Sequence, residues 1–122
     1  MKVLIVDDSQ IMRKIISVVL AKLNVNDIIE AENGKEAVIK AGENNDIGLI
    51  LMDWNMPVMS GIEAVKNIRS KGNKVPIVMC TTEAEKEKVI EAIKAGCNDY
   101  LIKPFNPKDI KAKLQKFVVV AA

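Results

Sequence analysis

Five polar side chains stand where short apolar runs of this sequence end. They are three carboxylates, a hydroxyl and an ammonium group: Asp7, Asp8, Asp53, Thr81 and Lys103. Three carboxylates at close range repel each other by about 4 kcal/mol per pair at an effective dielectric constant of about 20, which favours a bound cation. Oxygen ligands without a histidine or cysteine beside them favour Mg²⁺. With a metal, a lysine and a hydroxyl donor nearby, Asp53 can act as the nucleophile toward a phosphoryl group.

Each of these residues also has an ordinary structural explanation when taken alone. Asp7 and Asp8 can start a helix, and Thr81 can be a strand-end hydroxyl. Lys103 can be a solvated loop residue. Asp53 is harder to explain in this way, because a carboxylate at the end of a buried strand is costly without a partner. The joint placement of all five at strand ends favours a common site.

Five strands that alternate with five helices are predicted to bring these side chains together. The predicted strands are Lys2–Val6, Asp27–Ala31, Leu49–Met52, Val75–Cys80 and Tyr100–Ile102. The residues suited to begin the helices are Ser9, Asn33, Ser60, Thr82 and Asn106. This alternation predicts a single α/β domain over residues 1–122, with a doubly wound parallel sheet and right-handed crossovers. Ligands bind such a sheet at the carboxyl ends of its strands, where the five polar side chains should meet.

Apolar residues at helical spacing predict which helix faces pack on the sheet. In the first helix these residues are Met12, Ile15, Ile16, Val19, Leu20 and Leu23. In the fourth helix they are Val89, Ile90 and Ile93. We expect both sets to be buried.

The composition excludes several classes of protein. No segment approaches the ~20 apolar residues of a membrane span. The amino-terminal MKVLIVDD turns acidic where a signal peptide would stay apolar, which predicts a soluble, cytoplasmic protein. A net charge of +2, dispersed along the chain, argues against nucleic acid as the partner.

The cysteines and the absence of histidine narrow the chemistry further. Cys80 and Cys97 form no metal-binding pair and are predicted to be small buried hydrophobic residues. Without histidine, the chain cannot hold a Ser/His/Asp triad or a zinc helix of the HExxH type. A phosphohistidine intermediate would have to be supplied by another protein.

Four motifs of the chain resemble the receiver domain of two-component response regulators. They are VDDS at 6–9, MDWNMP at 52–57, CTTE at 80–83 and LIKPF at 101–105. They occur in order and cover essentially the whole chain. At DWNMP, Glu83 and Tyr100 the sequence is most similar to the single-domain chemotaxis regulators of this family. The resemblance implies a flavodoxin-like fold with the strand order 2-1-3-4-5.

The resemblance also implies roles for the acidic residues. Asp53 would accept a phosphoryl group from the phosphohistidine of a partner histidine kinase. Mg²⁺ would be bound directly by Asp8 and Asp53, through water by Asp7, and by the backbone carbonyl of Asn55. Such a protein transfers the phosphoryl group to itself and is a signalling protein rather than an enzyme that turns over a substrate.

Three further residues would take part in the switch that the resemblance implies. Lys103 would contact the phosphoryl group, and its bond to Pro104 would be cis. Thr81 would move toward the phosphoryl oxygens, and Tyr100 would move inward behind it. Binding of the phosphoryl group to one arrangement of these two residues would shift the population toward that arrangement.

Residues beside the acceptor would set how long the phosphoryl group lasts. In the family, the side chains at Asn55 and Glu83 adjust the attack of water on the acyl phosphate, and this pair implies a short-lived signal. Thr82 stands where similar chains often have alanine. Glu85 stands where they often have lysine, which makes binding to the flagellar motor switch less secure than phosphorylation.

The predicted output surface is the fourth helix, the fifth strand and the fifth helix. Its helices are rich in lysine, at Lys86, Lys94, Lys108, Lys111, Lys113 and Lys116. This charge suits an acidic or amphipathic partner segment, such as one of the flagellar motor switch. On charge alone, a solvated helix face explains it equally well. We expect a monomer.

Three other functions remain open at the level of sequence. Haloacid-dehalogenase-type phosphatases share the Asp, Thr and Lys, but they need a second Asp where this chain has Asn55, so repeated turnover is not expected. A phosphate sink, or a regulator of another pathway, would use the same chemistry with different partners. A receiver from a DNA-binding regulator is disfavoured because the sequence contains no effector segment.

Overall fold

The computed structural model describes residues 1–82, 86–103 and 106–117. Within these residues, five strands alternate with five helices. The strands are β1 Lys2–Val6, β2 Asp27–Ala31, β3 Ile47–Asp53, β4 Ile77–Thr81 and β5 Asp99–Ile102. The helices are α1 Gln10–Lys22, α2 Gly34–Glu43, α3 Gly61–Ser70, α4 Lys86–Ala95 and α5 Pro107–Leu114.

The strands form one parallel sheet in the order β2-β1-β3-β4-β5, which confirms the predicted topology. β1 and β2 have the predicted bounds, and β3 is longer, so that Asp53 is its last residue. β4 begins two residues later than predicted. Pro76 precedes it, and proline has no N–H to donate to a neighbouring strand, although its carbonyl accepts from Ile50 N–H at 2.9 Å.

Successive residues of the central strands point to opposite faces of the sheet and are buried on both. On one face Val3, Ile5, Leu49 and Leu51 form a core cluster with residues of α1 and α5. On the other face Leu4, Val6, Ile50 and Met52 form a cluster with residues of α2, α3 and α4. These two cores fix the position of the strand ends that carry the polar side chains.

The predicted caps hold four of the helices. The side chains of Ser9, Asn33 and Ser60 accept hydrogen bonds from backbone N–H groups at the starts of α1, α2 and α3. Asn106 and Asp109 form a reciprocal capping box at α5. The cap predicted for α4 depends partly on Glu85, which lies outside the described residues.

Two predicted helix faces were wrong in part. Ile15 of α1 is 39% exposed, and Ile90 and Ile93 of α4 are 41% and 46% exposed. In α1 the buried set includes Arg13 instead. α4 lies beside α3 and the edge strand β5, and its buried residue is Ala92. Periodicity predicts which residues share a face, but the width of the covered stripe depends on the neighbouring elements.

Within the described ranges, no helix is long and apolar enough to cross a membrane.

Candidate functional site

The predicted polar side chains lie at one edge of the sheet. Asp7 follows β1, Asp53 ends β3, Thr81 ends β4 and Lys103 follows β5. The strands that carry them are neighbours, and in their register Asp53 is paired with Cys80, the residue before Thr81. The parallel sheet therefore brings together residues that are far apart in the sequence.

Lys103 links the two buried carboxylates of this edge. Its Nζ lies 3.0 Å from Asp53 Oδ1 and 3.2 Å from Asp7 Oδ2. Asp7 and Asp53 are buried, whereas Lys103 is half-buried. The two carboxylates therefore face a positive charge in a region that water reaches poorly.

Asp8 completes a cluster of three acids. One carboxylate oxygen from each of Asp7, Asp8 and Asp53 lies within 4.8 Å of the other two. Asp8 is exposed, so the cluster opens to solvent on its side. The ligand atoms are hard oxygens, and this donor set fits Mg²⁺, which prefers carboxylate and water oxygens.

The charges of this cluster shift the pKa values of Asp53 and Lys103. Burial raises the pKa of Asp53, the hydrogen bond from Lys103 opposes that rise, and the negative charges of Asp7 and Asp8 add to it. The result is a raised pKa. Burial lowers the pKa of Lys103, but the hydrogen bonds and charges of Asp53 and Asp7 outweigh burial and leave it raised. A second positive charge at the cluster would favour the ionised form of Asp53, which is the form that can act as a nucleophile.

The backbone around Asp53 is fixed by the start of α3. Trp54 N–H donates to Cys80 O at 3.0 Å, and Trp54 O accepts from Gly61 N–H at 2.9 Å. A Cβ atom added at Gly61 would lie 2.1 Å from Asp53 O. Position 61 must therefore be glycine for α3 to approach the end of β3 so closely.

Thr81 and Tyr100, the predicted switch residues, lie on the neighbouring strands β4 and β5. Thr81 is buried, and its carbonyl accepts from Lys103 N–H at 2.7 Å. Tyr100 is half-buried and packs against the core cluster that contains α2, α3 and α4. Lys113 Nζ lies 5.4 Å from the centroid of the Tyr100 ring and 3.1 Å from Asp99 Oδ1. The tyrosine is therefore held from its α5 side by a cation–π contact.

Two of the three residues expected to adjust the lifetime of the phosphoryl group lie at the open side of the site. Asn55 and Thr82 are both exposed. Glu83 and Pro104 lie outside the described residues, so the predicted roles of the glutamate and of the cis bond stay predictions.

The predicted output surface carries both positive charge and exposed apolar residues. Lys86 and Lys94 of α4 are exposed, as are Ile90 and Ile93 of the same helix. On α5 and just after it, Lys108, Lys111 and Lys116 are also exposed.

Sequence reasoning missed Arg13. Arg13 is only 8% exposed. Its Nη1 donates to Asp7 O at 2.6 Å, and its Nε donates to Glu30 Oε1 at 2.9 Å. The one signal in the sequence is an arginine within the apolar positions of the first helix. That signal does not identify its partners, because they come from the β1–α1 turn and from β2.

Both cysteines are buried, as predicted. Burial raises the pKa of Cys80 to about 12, and it raises the pKa of Cys97 to about 11. Neither thiol forms an appreciable amount of thiolate at neutral pH.

Known proteins are similar to this chain in both sequence and fold. The family described as "Response regulator receiver domain" matches residues 3–115 of this chain. The chain is 48% identical over 117 residues to the chemotaxis protein CheY1 of Helicobacter pylori, with 94% of each chain covered.

Two solved structures are also similar to this chain. The chemotaxis response regulator CheY4 of Vibrio cholerae has a TM-score of 0.88 and 39% identity, covering 96% of this chain and 98% of that chain. CheY in a CheX-CheY-BeF3-Mg+2 complex from Borrelia burgdorferi has a TM-score of 0.87 and 29% identity. The match covers 97% of this chain and 90% of that chain.

Proposed function

The chain belongs to the family of response regulator receiver domains, and from that membership we propose that Asp53 accepts a phosphoryl group from the phosphohistidine of a partner kinase. The observation that carries the proposal is the position of Lys103, whose ammonium group contacts both Asp53 and Asp7 beside the exposed carboxylate of Asp8. The relatives named above are chemotaxis proteins, so the pathway we propose is chemotaxis.

The transfer step uses the residues at the edge of the sheet. An oxygen of the Asp53 carboxylate attacks phosphorus, and a P–O bond forms as the P–N bond to the donor imidazole breaks. The imidazole leaves with the electron pair of that bond. Lys103, within hydrogen-bond distance of Asp53, can donate to a phosphoryl oxygen as negative charge shifts toward it.

Mg²⁺ fits the same place. Asp8 and Asp53 would hold it directly, Asp7 through water and Asn55 through its backbone carbonyl. When bound, the ion would offset the charge of the phosphoryl oxygens and of the acidic cluster. The solved CheX-CheY complex with BeF3 and Mg²⁺ supports the proposal that the homologous site of this chain takes the same two groups.

Phosphorylation would act as a switch through Thr81 and Tyr100. Thr81 ends the strand next to β3 and can donate its hydroxyl to a phosphoryl oxygen on Asp53. Movement of Thr81 would leave space behind it for the half-buried ring of Tyr100. The surface formed by α4, β5 and α5 would then bind a downstream protein, for which we propose a component of the flagellar motor switch.

Self-dephosphorylation would end the signal. Water would attack phosphorus at the open side of the site, where Asn55 and Thr82 are exposed. Glu83 directly follows Thr82 in the sequence. Asn55→Lys or Glu83→Lys should slow this loss of the phosphoryl group. The extent of the domain over residues 1–122, a cytoplasmic location and a monomeric state stay predictions.

The test uses a small phosphate donor, so that no kinase has to be identified. The protein is incubated with phosphoramidate and Mg²⁺, and its intact mass is measured under conditions that preserve acyl phosphates. We expect the mass of one added phosphoryl group on the native chain, and none on Asp53→Asn or after chelation of Mg²⁺. An equal degree of labelling of Asp53→Asn would overturn the assignment of the acceptor.

Binding of partners is tested with beryllofluoride, a mimic of the acyl phosphate. Lysate proteins are captured on the immobilised chain with and without beryllofluoride, and Asp53→Ala is the control. We expect a partner that is retained only by the native chain with the mimic. If the mimic changes the capture of no protein, the proposal that phosphorylation switches partner binding is wrong.

A phosphate sink uses the same chemistry, and the same capture experiment distinguishes it. A sink would be phosphorylated, but beryllofluoride would not increase its capture of any downstream protein. A haloacid-dehalogenase-type phosphatase is tested separately by turnover of p-nitrophenyl phosphate, which Asn55 argues against.

A further inference from the structure

Arg13 is a charged residue in the buried set of α1. A buried arginine is costly unless its donors are paired, and Arg13 divides its donors between two partners. Nη1 donates to the backbone carbonyl of Asp7 at 2.6 Å, and Nε donates to Oε1 of Glu30 at 2.9 Å. One side chain therefore connects α1, the turn after β1 and the edge strand β2.

The carbonyl that Arg13 contacts belongs to the peptide group between Asp7 and Asp8. Each other polar atom of Asp7 is also bonded. Asp7 N–H donates to Ala31 O at 3.1 Å, Oδ1 accepts from Ser9 N–H at 2.9 Å, and Oδ2 accepts from Lys103. The direction in which the chain leaves Asp7 is therefore fixed by several bonds.

Asp8 depends on that direction more than Asp7 does. Its side chain is exposed, so burial does not orient it in the way that it orients Asp7 and Asp53. The orientation of the Asp7–Asp8 peptide group determines where the Asp8 carboxylate can reach. Rotation of this peptide group would move the Asp8 oxygens out of the cluster.

We propose that Arg13 is a positioning residue that sets the affinity of the acidic cluster for Mg²⁺, and that Glu30 orients its guanidinium group. The inference rests on the magnesium site of the proposed function. Groups that orient metal ligands typically change metal affinity by 10- to 100-fold when they are removed.

Charge and position have opposite effects on binding, which makes the inference testable. Arg13 is a positive charge near the cluster, so Coulomb repulsion alone predicts that its removal strengthens the binding of Mg²⁺. Positioning predicts that removal weakens binding. Glu30 reduces the repulsive effect, because its carboxylate lies against the guanidinium group.

The experiment is a titration of the phosphate-free protein with Mg²⁺, followed by the fluorescence of Trp54 and by calorimetry. Trp54 is the single tryptophan of the chain and directly follows Asp53. For Arg13→Gln we expect affinity to fall by about tenfold. The affinity of Arg13→Lys for Mg²⁺ should lie between those of the native chain and Arg13→Gln. Its ammonium group can reach the Asp7 carbonyl but lacks the second, separately directed donor of arginine.

The matched control is Lys14→Gln, which removes a positive charge from an exposed neighbour on the same helix. We expect unchanged or slightly tighter binding of Mg²⁺ by this variant. If Arg13→Gln behaves like Lys14→Gln, then Arg13 has no positioning role and the inference is overturned.

A second variant covers the possibility that Arg13→Gln does not fold. Arg13→Lys keeps the positive charge, so Coulomb repulsion alone predicts an unchanged affinity for Mg²⁺, whereas positioning predicts a lower affinity. Unchanged affinity in Arg13→Lys would then overturn the inference. Loss of the Glu30 charge weakens the binding of a cation by itself, so Glu30→Gln is measured both in the native chain and in Arg13→Lys. We expect a larger loss of affinity in the native chain, and equal losses would remove the role of Glu30. Absence of Mg²⁺ binding by the native chain would instead contradict the proposed function.

Discussion

α3 and α4 are both ten-residue helices on the same face of the sheet, yet they are held very differently. α3 buries Ile62, Val65 and Ile68, and its first residue, Gly61, lies against the end of β3. α4 buries Ala92, while Ile90 and Ile93 of this helix are both more than 40% exposed. The helix that follows β3 is thus anchored by several buried side chains, and the helix that follows Thr81 by one.

This difference suits the proposed switch, in which the two helices need opposite properties. The acceptor carboxylate must keep its geometry whether or not it carries a phosphoryl group. The surface that reports the phosphoryl group must be able to shift at low cost in free energy. Strong packing of α3 and weak packing of α4 provide these properties side by side.

The largest effect should come from the anchored helix. Ile68 of α3 is 2% exposed, and Ile68→Ala removes buried methyl and methylene groups and leaves a cavity. We expect the free energy of unfolding to fall by about 3 kcal/mol, measured by urea denaturation. A loss below about 1 kcal/mol would show that α3 is no better anchored than α4.

Gly61→Ala should have a similar but somewhat smaller effect. The added Cβ would meet the backbone carbonyl of Asp53, so either α3 or the end of β3 must shift. We expect a loss of about 2 kcal/mol in stability, together with weaker Mg²⁺ binding. Gly42→Ala is the control, because a Cβ there meets nothing within 4 Å and the residue lies within α2. It should raise stability by up to about 1 kcal/mol.

A change in pH should have a smaller effect, through Asp53. Its pKa is raised in the folded state, so the folded protein binds a proton more tightly than the unfolded chain does. The ionised carboxylate therefore lowers stability as pH rises from the ordinary aspartate value, 3.8, through the raised value. Without Mg²⁺ near pH 7, we expect Asp53→Asn to be more stable than the native chain by up to about 1 kcal/mol.

The difference between the native chain and Asp53→Asn should shrink below pH 4 and on addition of Mg²⁺. Thermal unfolding at several pH values checks the first point, and unfolding with saturating Mg²⁺ checks the second. A native chain that is more stable than Asp53→Asn at pH 7 without the metal would show that Lys103 more than offsets the burial of Asp53.

The smallest effect should come from α4. Ile93 is 46% exposed, so Ile93→Ala should change the free energy of unfolding by less than about 0.5 kcal/mol. The same variant should weaken the capture of a downstream partner in the presence of beryllofluoride, because it removes apolar area from the proposed output surface. A stability loss close to that of Ile68→Ala would contradict the contrast between the two helices.

Much of the fold could be predicted from local sequence. β1 and β2 have the predicted bounds because their apolar runs are flanked by polar residues and helix caps. The meeting of Asp7, Asp53 and Lys103 follows from parallel strands alone, since all carboxyl ends share one edge. β4 was displaced because Pro76 prevents the ladder from starting earlier.

The remaining features depend on contacts that no local pattern contains. Arg13 of α1 can be buried because Glu30, on the edge strand β2, offsets its charge. Ile90 and Ile93 are exposed because α4 lies by the edge strand β5, where little of the sheet is left to cover. Both depend on distant parts of the chain, whereas periodicity describes one helix at a time.

The two buried thiols make this chain convenient to label. With pKa values of about 12 and about 11, Cys80 and Cys97 should not react with maleimides at neutral pH in the folded protein. A cysteine introduced by Ile93→Cys would then carry a dye alone, with both native cysteines kept. Since position 93 is exposed on α4, the dye would report on the proposed movement of that helix upon phosphorylation.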